Sequence, residues 1–340
     1  MSRRRLLHCT AAVTLLAACG QADDVELGVV HQPMIEGAPS DESYGGVVFF
    51  ETKQPAGKIS CTGTLVAPNL VATALHCVTS STLDHFDCQP DGTITAATVQ
   101  AGAIGPLVAP ANVKIYTGSP VDYSEPAAVG VKLYGTGSTQ GCQGDLALIQ
   151  LDHALDAPVS SVRLDRMATR REQVYALGYG ETDVVDNRGY RLVREVEVID
   201  VGPSSTAEAL RTASPRTFVV GEGPCKGDSG GPAFSAATGA LLGVFSLNEN
   251  DDCSAVGIRN VYTSLSPYSK LILDAFDKAG AEPILEPGSA PGPVDTEPAP
   301  TKKPDSGGCT LSPSGRSTSG LGLALFGIAT VASRIRRRRS

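Results

Sequence analysis

Cys225-Lys226-Gly227-Asp228-Ser229-Gly230-Gly231-Pro232 is the stretch on which the reading of this chain turns. A serine followed by two glycines and a proline continues neither helix nor strand, so it presents its hydroxyl on a tight loop. Gly227 and the backbone around Ser229 are free to aim their N–H groups at one point, as an oxyanion hole requires. Taken alone, Ser-Gly-Gly is a surface turn. A hydroxyl becomes a nucleophile only beside a base, so the reading needs a histidine and a carboxylate elsewhere in the chain.

Both lie upstream. Thr73-Ala74-Leu75-His76-Cys77 ends a segment that begins at Cys61, and Gly144-Asp145-Leu146-Ala147-Leu148-Ile149 opens an apolar strand. Singly, His76 reads as a core histidine, Asp145 as a strand-end cap and Ser229 as a turn residue. Together they supply nucleophile, base and orienting carboxylate in the order His, Asp, Ser. That order excludes the Asp-His-Ser arrangement of subtilisins and the Ser-Asp-His arrangement of α/β-hydrolases.

Around these residues the text is β-like. Short runs broken by turn residues occur at 46–50, 63–66, 70–73, 146–149, 193–199, 241–245 and 260–263. Many short strands at this spacing indicate an antiparallel barrel or sandwich. One helix is expected, from Pro267 to Ala279, with Leu271, Ile272, Ala275 and Phe276 on one face.

At this point the residues carry a family resemblance. The chain resembles the trypsin/chymotrypsin-like serine proteases from about Ile35 to Ala279. Cys61-Thr62-Gly63-Thr64-Leu65 through His76-Cys77 has the family's spacing of cysteines around the catalytic histidine. Asp145 to Ile149 resembles its aspartate strand, and Gly227 to Pro232 is its nucleophile loop without substitution. Val244-Phe245-Ser246 resembles the strand beside the substrate, and Asn260-Val261-Tyr262-Thr263 the strand behind the specificity pocket. The resemblance implies two antiparallel six-stranded β-barrels, a cleft between them and a C-terminal helix. It implies that Ser229 attacks the scissile carbonyl, that His76 transfers the proton and that Asp145 orients His76. The N–H groups of Gly227 and Ser229 would hold the oxyanion, and Ser246 would support Asp145. It pairs Cys61 with Cys77 and Cys225 with Cys253, leaving Cys88 for Cys142.

Departures from the family bear on specificity and activation. Gly223 stands six residues before the nucleophile, where trypsin-like enzymes have an aspartate, so a basic P1 residue is not expected. Asn248 and Asn260 replace the glycines of open pockets, and Leu247 replaces a tryptophan. A small or medium uncharged P1 residue is therefore expected. Ile35-Glu36-Gly37 resembles the segment whose cleavage frees an α-ammonium for the aspartate before the nucleophile, here Asp228. Because Met34, not Arg or Lys, precedes Ile35, a different protease is expected to cut. The rival reading is a surface binding module that keeps the fold without turnover.

Composition sets the compartment. The net charge is −8, but nine of the 28 basic residues lie in the acid-free ends 1–19 and 310–340. Residues 20–309 hold 19 basic against 36 acidic residues, a balance of −17. So acidic a body is a poor partner for nucleic acid, and protein or peptide substrates are expected. Residues 1–19 read as a signal peptide ending in Leu16-Ala17-Ala18-Cys19, similar to a bacterial lipobox with Cys19 lipidated. Residues 20–34 read as a tether or pro-segment, 35–280 as the protease domain and 281–308 as a Pro/Gly-rich linker. Residues 309–340 carry Cys309, an apolar run and terminal arginines, resembling the sorting tails of some Gram-negative surface proteins. An exported, envelope-associated protein follows, its membrane contact supplied by either end. Six cysteines in the body suit three disulfides in an oxidising compartment. A zinc site from His76, Cys77, His85 and Cys88 would consume the catalytic histidine, and the acidic stretches 183–187 and 249–252 lack EF-hand spacing. Neither metal nor cofactor is expected.

Overall fold

A computed structural model describes residues 34, 37–81, 83, 86–180, 189–206, 211–248, 253, 255 and 257–288. All belong to one compact unit, 1–296. The strands are β1 (Ala38–Pro39), β2 (Val47–Gln54), β3 (Gly57–Ala67), β4 (Leu70–Thr73), β5 (Val113–Tyr116), β6 (Ala128–Gly135), β7 (Ala147–Leu151) and β8 (Gln173–Gly178). They continue with β9 (Leu192–Val201), β10 (Ser204–Thr206), β11 (Arg211–Ala213), β12 (Thr217–Val220), β13 (Pro232–Ser235), β14 (Leu241–Asn248) and β15 (Asn260–Ser264).

The strands close into two six-stranded antiparallel barrels. The first runs β2-β3-β4-β7-β6-β5, and β5 returns to β2. The second runs β8-β9-β12-β15-β14-β13, and β13 returns to β8, with β1 added on β9. Closure leaves few strand edges for another chain to pair with. This is the chymotrypsin-like fold that the resemblance implies.

The period-two pattern of each strand decides which barrel wall it lines. Val48 and Phe50, with Val71, Ala147 and Ile149, fill the first barrel. Val174, Ala176, Val196, Val198, Phe218, Val220 and Tyr262 fill the second. The opposite parity of the same strands (Val47 and Phe49, Leu146 and Leu148, Leu177, Val244) joins a cluster shared by both barrels and the helix. Helix α1 (Ser269–Ala279) buries Ile272, Ala275 and Phe276 there and ends at Gly280 in the left-handed region (φ 67°). A single short amphipathic helix thus covers the cluster between the barrels.

The sequence places 281–288 in a linker, and the structure corrects that boundary. Val162, in the segment joining the barrels, bridges in parallel to both Leu241 and Leu285. Its N–H donates to the Ile284 carbonyl at 2.8 Å, and the Glu286 N–H donates to the Val162 carbonyl at 3.0 Å. Glu286 is fully buried and takes Nε and Nη2 of Arg163, each at 2.6 Å. Proline, glycine and acid are linker composition, yet one glutamate with a distant arginine makes this piece part of the body. Among the described residues no helix is long and apolar enough to cross a membrane. The signal peptide, Cys19, Ile35, Cys309 and the apolar run 321–332 lie outside the described residues.

Candidate active site

His76 sits in a one-turn 3-10 helix, Leu75–Val78, that follows β4 and is wholly buried. The Cys61–Cys77 disulfide ties this turn to β3. Asp145 precedes β7 and has no exposure. Its Oδ1 accepts the His76 backbone N–H at 2.8 Å. Its Oδ2 accepts His76 Nδ1 at 2.7 Å and the Ser246 hydroxyl at 2.6 Å. Three donors thus satisfy a carboxylate that burial alone would penalise. With Nδ1–H given to Asp145, Nε2 is the imidazole nitrogen that carries the lone pair.

The Ser229 loop is held from several sides. Asp228 N–H donates to the Cys225 carbonyl at 3.1 Å, and Gly231 N–H to the Asp228 carbonyl at 2.8 Å. Gly230 N–H bonds the Phe245 carbonyl at 2.7 Å, fixing the loop on β14. From the first barrel, Thr62 N–H donates to the Ser229 carbonyl at 2.8 Å and Thr62 Oγ1 to the Gly227 carbonyl at 3.2 Å. Gly230 has φ +79°, and a β-carbon there would stand 2.0 Å from Thr73 Oγ1, so only glycine fits. The bottom of the Ser229 backbone therefore rests on β3 and β4, beside His76.

Two N–H groups of this loop remain open. Among the described residues, neither Gly227 N–H nor Ser229 N–H donates to a protein acceptor. A β-carbon on Gly180 would lie 2.8 Å from the Lys226 carbonyl oxygen, so that carbonyl faces Gly180. The Gly227 N–H, on the opposite side of the same trans peptide, points the other way. Among the described residues Ser229 Oγ has no hydrogen-bond partner. Cys77 Sγ marks how close the two halves come, 3.6 Å from His76 Nε2 and 3.7 Å from the Ser229 carbonyl. Nucleophile–base bonds commonly tighten only when substrate fills a site.

Beneath the loop lies Asp228, fully buried, with Oδ1 accepting from Gly180 N–H at 2.8 Å and Oδ2 from Cys225 N–H at 2.9 Å. Burial pushes its carboxyl up to about 6, against the lowering effect of those two bonds. No cation among the described residues pairs with it. Gly178 and Gly180 make its chamber: a β-carbon on Gly178 would stand 2.0 Å from Asp228 Oδ1. These two glycines, around Tyr179, and the anchoring Thr62 were missed in the sequence. The Gly178-Tyr179-Gly180 pattern at a strand end was the available signal. Ile35, the expected partner of Asp228, lies outside the described residues.

The pocket residues also converge. Asn260 Nδ2 donates to the Gly221 carbonyl at 2.7 Å, and Asn248 Nδ2 to the Pro224 carbonyl at 3.2 Å and to Asn260 Oδ1 at 3.3 Å. The two amides therefore lace together the backbone on either side of Gly223. The Cys225–Cys253 disulfide closes the same wall, and Cys88–Cys142 completes the set of three. Ser246 faces Asp145 and not this wall. Cys61, His76 and Cys77 cluster as metal ligands would, but the two sulfurs are bonded to each other, so no thiolate is available. His85, of the zinc reading, and the acidic stretches 183–187 and 249–252 lie outside the described residues.

Two antiparallel barrels with histidine and aspartate on the first and serine on the second, in that chain order, define the chymotrypsin-like class. A family model, Trypsin, matches residues 35–272, and the chain belongs to the trypsin family. It is 24% identical over 294 residues to a CLIP domain-containing serine protease B4 of Anopheles gambiae, covering 80% of this chain and 78% of that one. It is 26% identical over 237 residues to a trypsin of Saccharopolyspora erythraea, covering 67% of this chain and 91% of that one.

Proposed function

We propose that the protein is a serine endopeptidase that cleaves peptide bonds through an acyl-enzyme on Ser229. The observation that carries this reading is Asp145, buried and bonded at once to His76 Nδ1 and Ser246. In this reading Ser229 Oγ gives its proton to Nε2 as it attacks, and Nε2 returns it to the leaving amine. Gly227 and Ser229 N–H groups take the developing oxyanion, at roughly 3–4 kcal/mol per donor. The substrate strand pairs with the edge of β14 at Ser246–Asn248, where β13 has already ended its pairing at Val244. Gly223 supplies no carboxylate for a basic P1 residue, and the Asn248–Asn260 bridge favours a small or medium uncharged one.

Activation belongs to the same proposal. Cleavage between Met34 and Ile35 would free an α-ammonium for Asp228, whose buried carboxylate has only backbone donors among the described residues. Met34 is fully buried with Ala168, Val174 and Phe218, so the activating protease must first draw that residue out. Three disulfides are those of a protein that folds outside the reducing cytoplasm. The finer assignment to a Gram-negative envelope rests on the lipobox at Cys19 and the tail 309–340.

The test is labelling with a fluorophosphonate probe after processing. Wild type is expected to label once, and Ser229→Ala to lose both label and about 10⁶-fold of peptidase turnover. Absence of label in processed wild type would replace the enzyme with the binding module.

A further inference from the structure

Away from the catalytic cleft, a cavity of about 420 Å³ opens where the segment joining the barrels passes the end of β13. Tyr44, Tyr175 and Phe234 line it with rings, Ser160 and Ser161 with hydroxyls, and Ile284, 54% exposed, with an alkyl side chain. None of His76, Asp145, Ser229, Gly223, Asn248 and Asn260 lines it. Strand β13 separates the two places. It starts at Pro232, against the nucleophile loop, and reaches the cavity at Phe234 and Ser235.

The walls are held by both barrels. Ser160 N–H donates to the Leu65 carbonyl of the first barrel at 2.9 Å, and Leu241 N–H of the second donates to the Ser161 carbonyl at 2.8 Å. Gly46 lets this crossing lie close, since a β-carbon there would stand 1.9 Å from the Pro158 carbonyl oxygen. Tyr175 and Phe234 are register partners on β8 and β13. Phe234 in turn stacks on Tyr44, with ring centres 6.1 Å apart and planes at 29°. A preformed cavity of this size, between two packed bodies, is where small-molecule sites commonly form.

Six hydroxyls line the cavity, and two are already engaged. Ser43 Oγ donates to Asp41 Oδ1 at 2.5 Å, and Ser235 Oγ to Glu172 Oε1 at 3.5 Å. Those of Tyr44, Tyr175, Ser160 and Ser161 have no hydrogen-bond partner among the described residues. Among the described residues no Asp, Glu, Lys, Arg or His lines the cavity. Burial first, then Tyr175 and Asp41, push the Tyr44 phenol up, so it remains a neutral donor. We propose that this cavity is a binding site for a neutral sugar, either a free saccharide or the end of a glycan. A charged ligand would find no counter-charge here. A purely apolar one would cover four hydroxyls and leave them without partners. A pyranose answers both demands: its C–H face packs on the rings, and its hydroxyls donate to and accept from the phenols and serines. The site goes beyond the endopeptidase reading and does not depend on it.

The experiment titrates the full chain with maltose, cellobiose and N,N′-diacetylchitobiose by calorimetry, with glucuronate as the charged probe and p-cresol as the apolar ring. At least one neutral disaccharide should bind with a Kd below about 1 mM, and the charged and apolar probes at least about ten-fold more weakly. Tyr44→Phe with Tyr175→Phe keeps the rings and removes two donors, and should weaken that disaccharide at least about ten-fold. Ser160→Ala with Ser161→Ala should act in the same direction, so that misfolding of one variant leaves the other to report. A longer oligomer of the same sugar that binds as tightly assigns the site to a glycan end, and one that binds more weakly assigns it to a free saccharide; both outcomes support the sugar site. Fluorophosphonate labelling of Ser229 should keep its rate with the cavity filled. No binding of a neutral disaccharide up to about 10 mM overturns the proposal. Equal binding in wild type and both variants, or tighter binding of glucuronate or p-cresol, also overturns it. A sugar that blocks labelling lies in the catalytic cleft and overturns it equally. A chain that binds sugar but does not label sinks the endopeptidase reading and leaves this site standing.

Discussion

The two barrels hold their shares of the site by different means. Among the described residues, Asp145 is the buried acid of the first barrel, and its remaining buried side chains are apolar or neutral apart from His76. From residue 163 onward, Arg163, Arg191, Asp200, Asp228, Arg259 and Glu286 are all buried. The histidine half is thus set by aliphatic packing and two disulfides, which respond little to pH. The serine half is set by charges and glycine turns, which respond strongly. Arg163 with Glu286 is a compensated charge, and Asp228 is one answered only by backbone N–H groups. In the proposed enzyme the base is built in and the nucleophile loop is conditional.

Three substitutions sharpen or break this contrast. Asp145→Asn removes the one buried acid that the described residues give the first barrel, without changing shape. It should cost on the order of 10⁴-fold in kcat by presenting the wrong imidazole tautomer, while the melting curve stays close to wild type. A large loss of stability would show that the first barrel also depends on charge. Glu286→Ala leaves Arg163 facing Glu172 alone (2.7 Å), removes the acceptor of the Thr238 hydroxyl and leaves Arg166 with Asp165. Removing one partner of a buried pair should cost about 3–5 kcal/mol in denaturant unfolding. Arg163 and its neighbours hold the Glu286 carboxyl down at about 2, below its ordinary 4.5, although burial pulls the other way. The contribution should therefore be complete above about pH 4.5 and disappear as pH falls through about 2.

The smallest effect has the opposite sign. In the uncleaved chain Asp228 titrates at about 6 against an ordinary 3.8, so ionising it opposes folding. Asp228→Asn should leave stability unchanged below about pH 4 and raise it by about 3 kcal/mol above pH 6, the gap opening between those values. Thermal unfolding at pH 4 and pH 7 reads it. An unchanged or lower stability at pH 7 would mean that a cation already answers Asp228 before cleavage.

The fold was legible because short apolar runs bounded by turn residues survive as strands: 70–73 and 241–245 fall inside observed strands, and 46–50 and 146–149 begin one residue ahead of β2 and β7. The strands passed over were those whose text is mixed. Ala128–Gly135 carries two glycines and a lysine, and Pro232–Ser235 opens on a proline, which closing the barrel tolerates at a strand start. Helix α1 begins two residues later than read, because 266–268 form a separate 3-10 turn. At the site, His76, Asp145 and Ser229 declare themselves by residue type in a fixed order. Thr62, Gly178 and Gly180 do not, since their roles are carbonyls received, a carboxylate admitted and an N–H given to that carboxylate. Nor does the placement of Phe86 and Ile94: it depends on where Leu247 and Ser214 arrive, more than a hundred residues later in the chain, which no local pattern encodes.

The short pairing of Val162 with Leu285 has a mechanical side. The described chain ends at 288 just after a bridge laid along the crossing between barrels, and not at the end of helix α1. Tension applied through that end would load the Ile284–Val162 and Glu286–Val162 bonds and the Arg163 clamp side by side before reaching any catalytic element. Bonds loaded together in shear share the force, so the segment would relieve strain between a pull applied at 288 and the cleft. A chain cut after Gly280 would lose that relief and, with Glu286, the partner of Arg163.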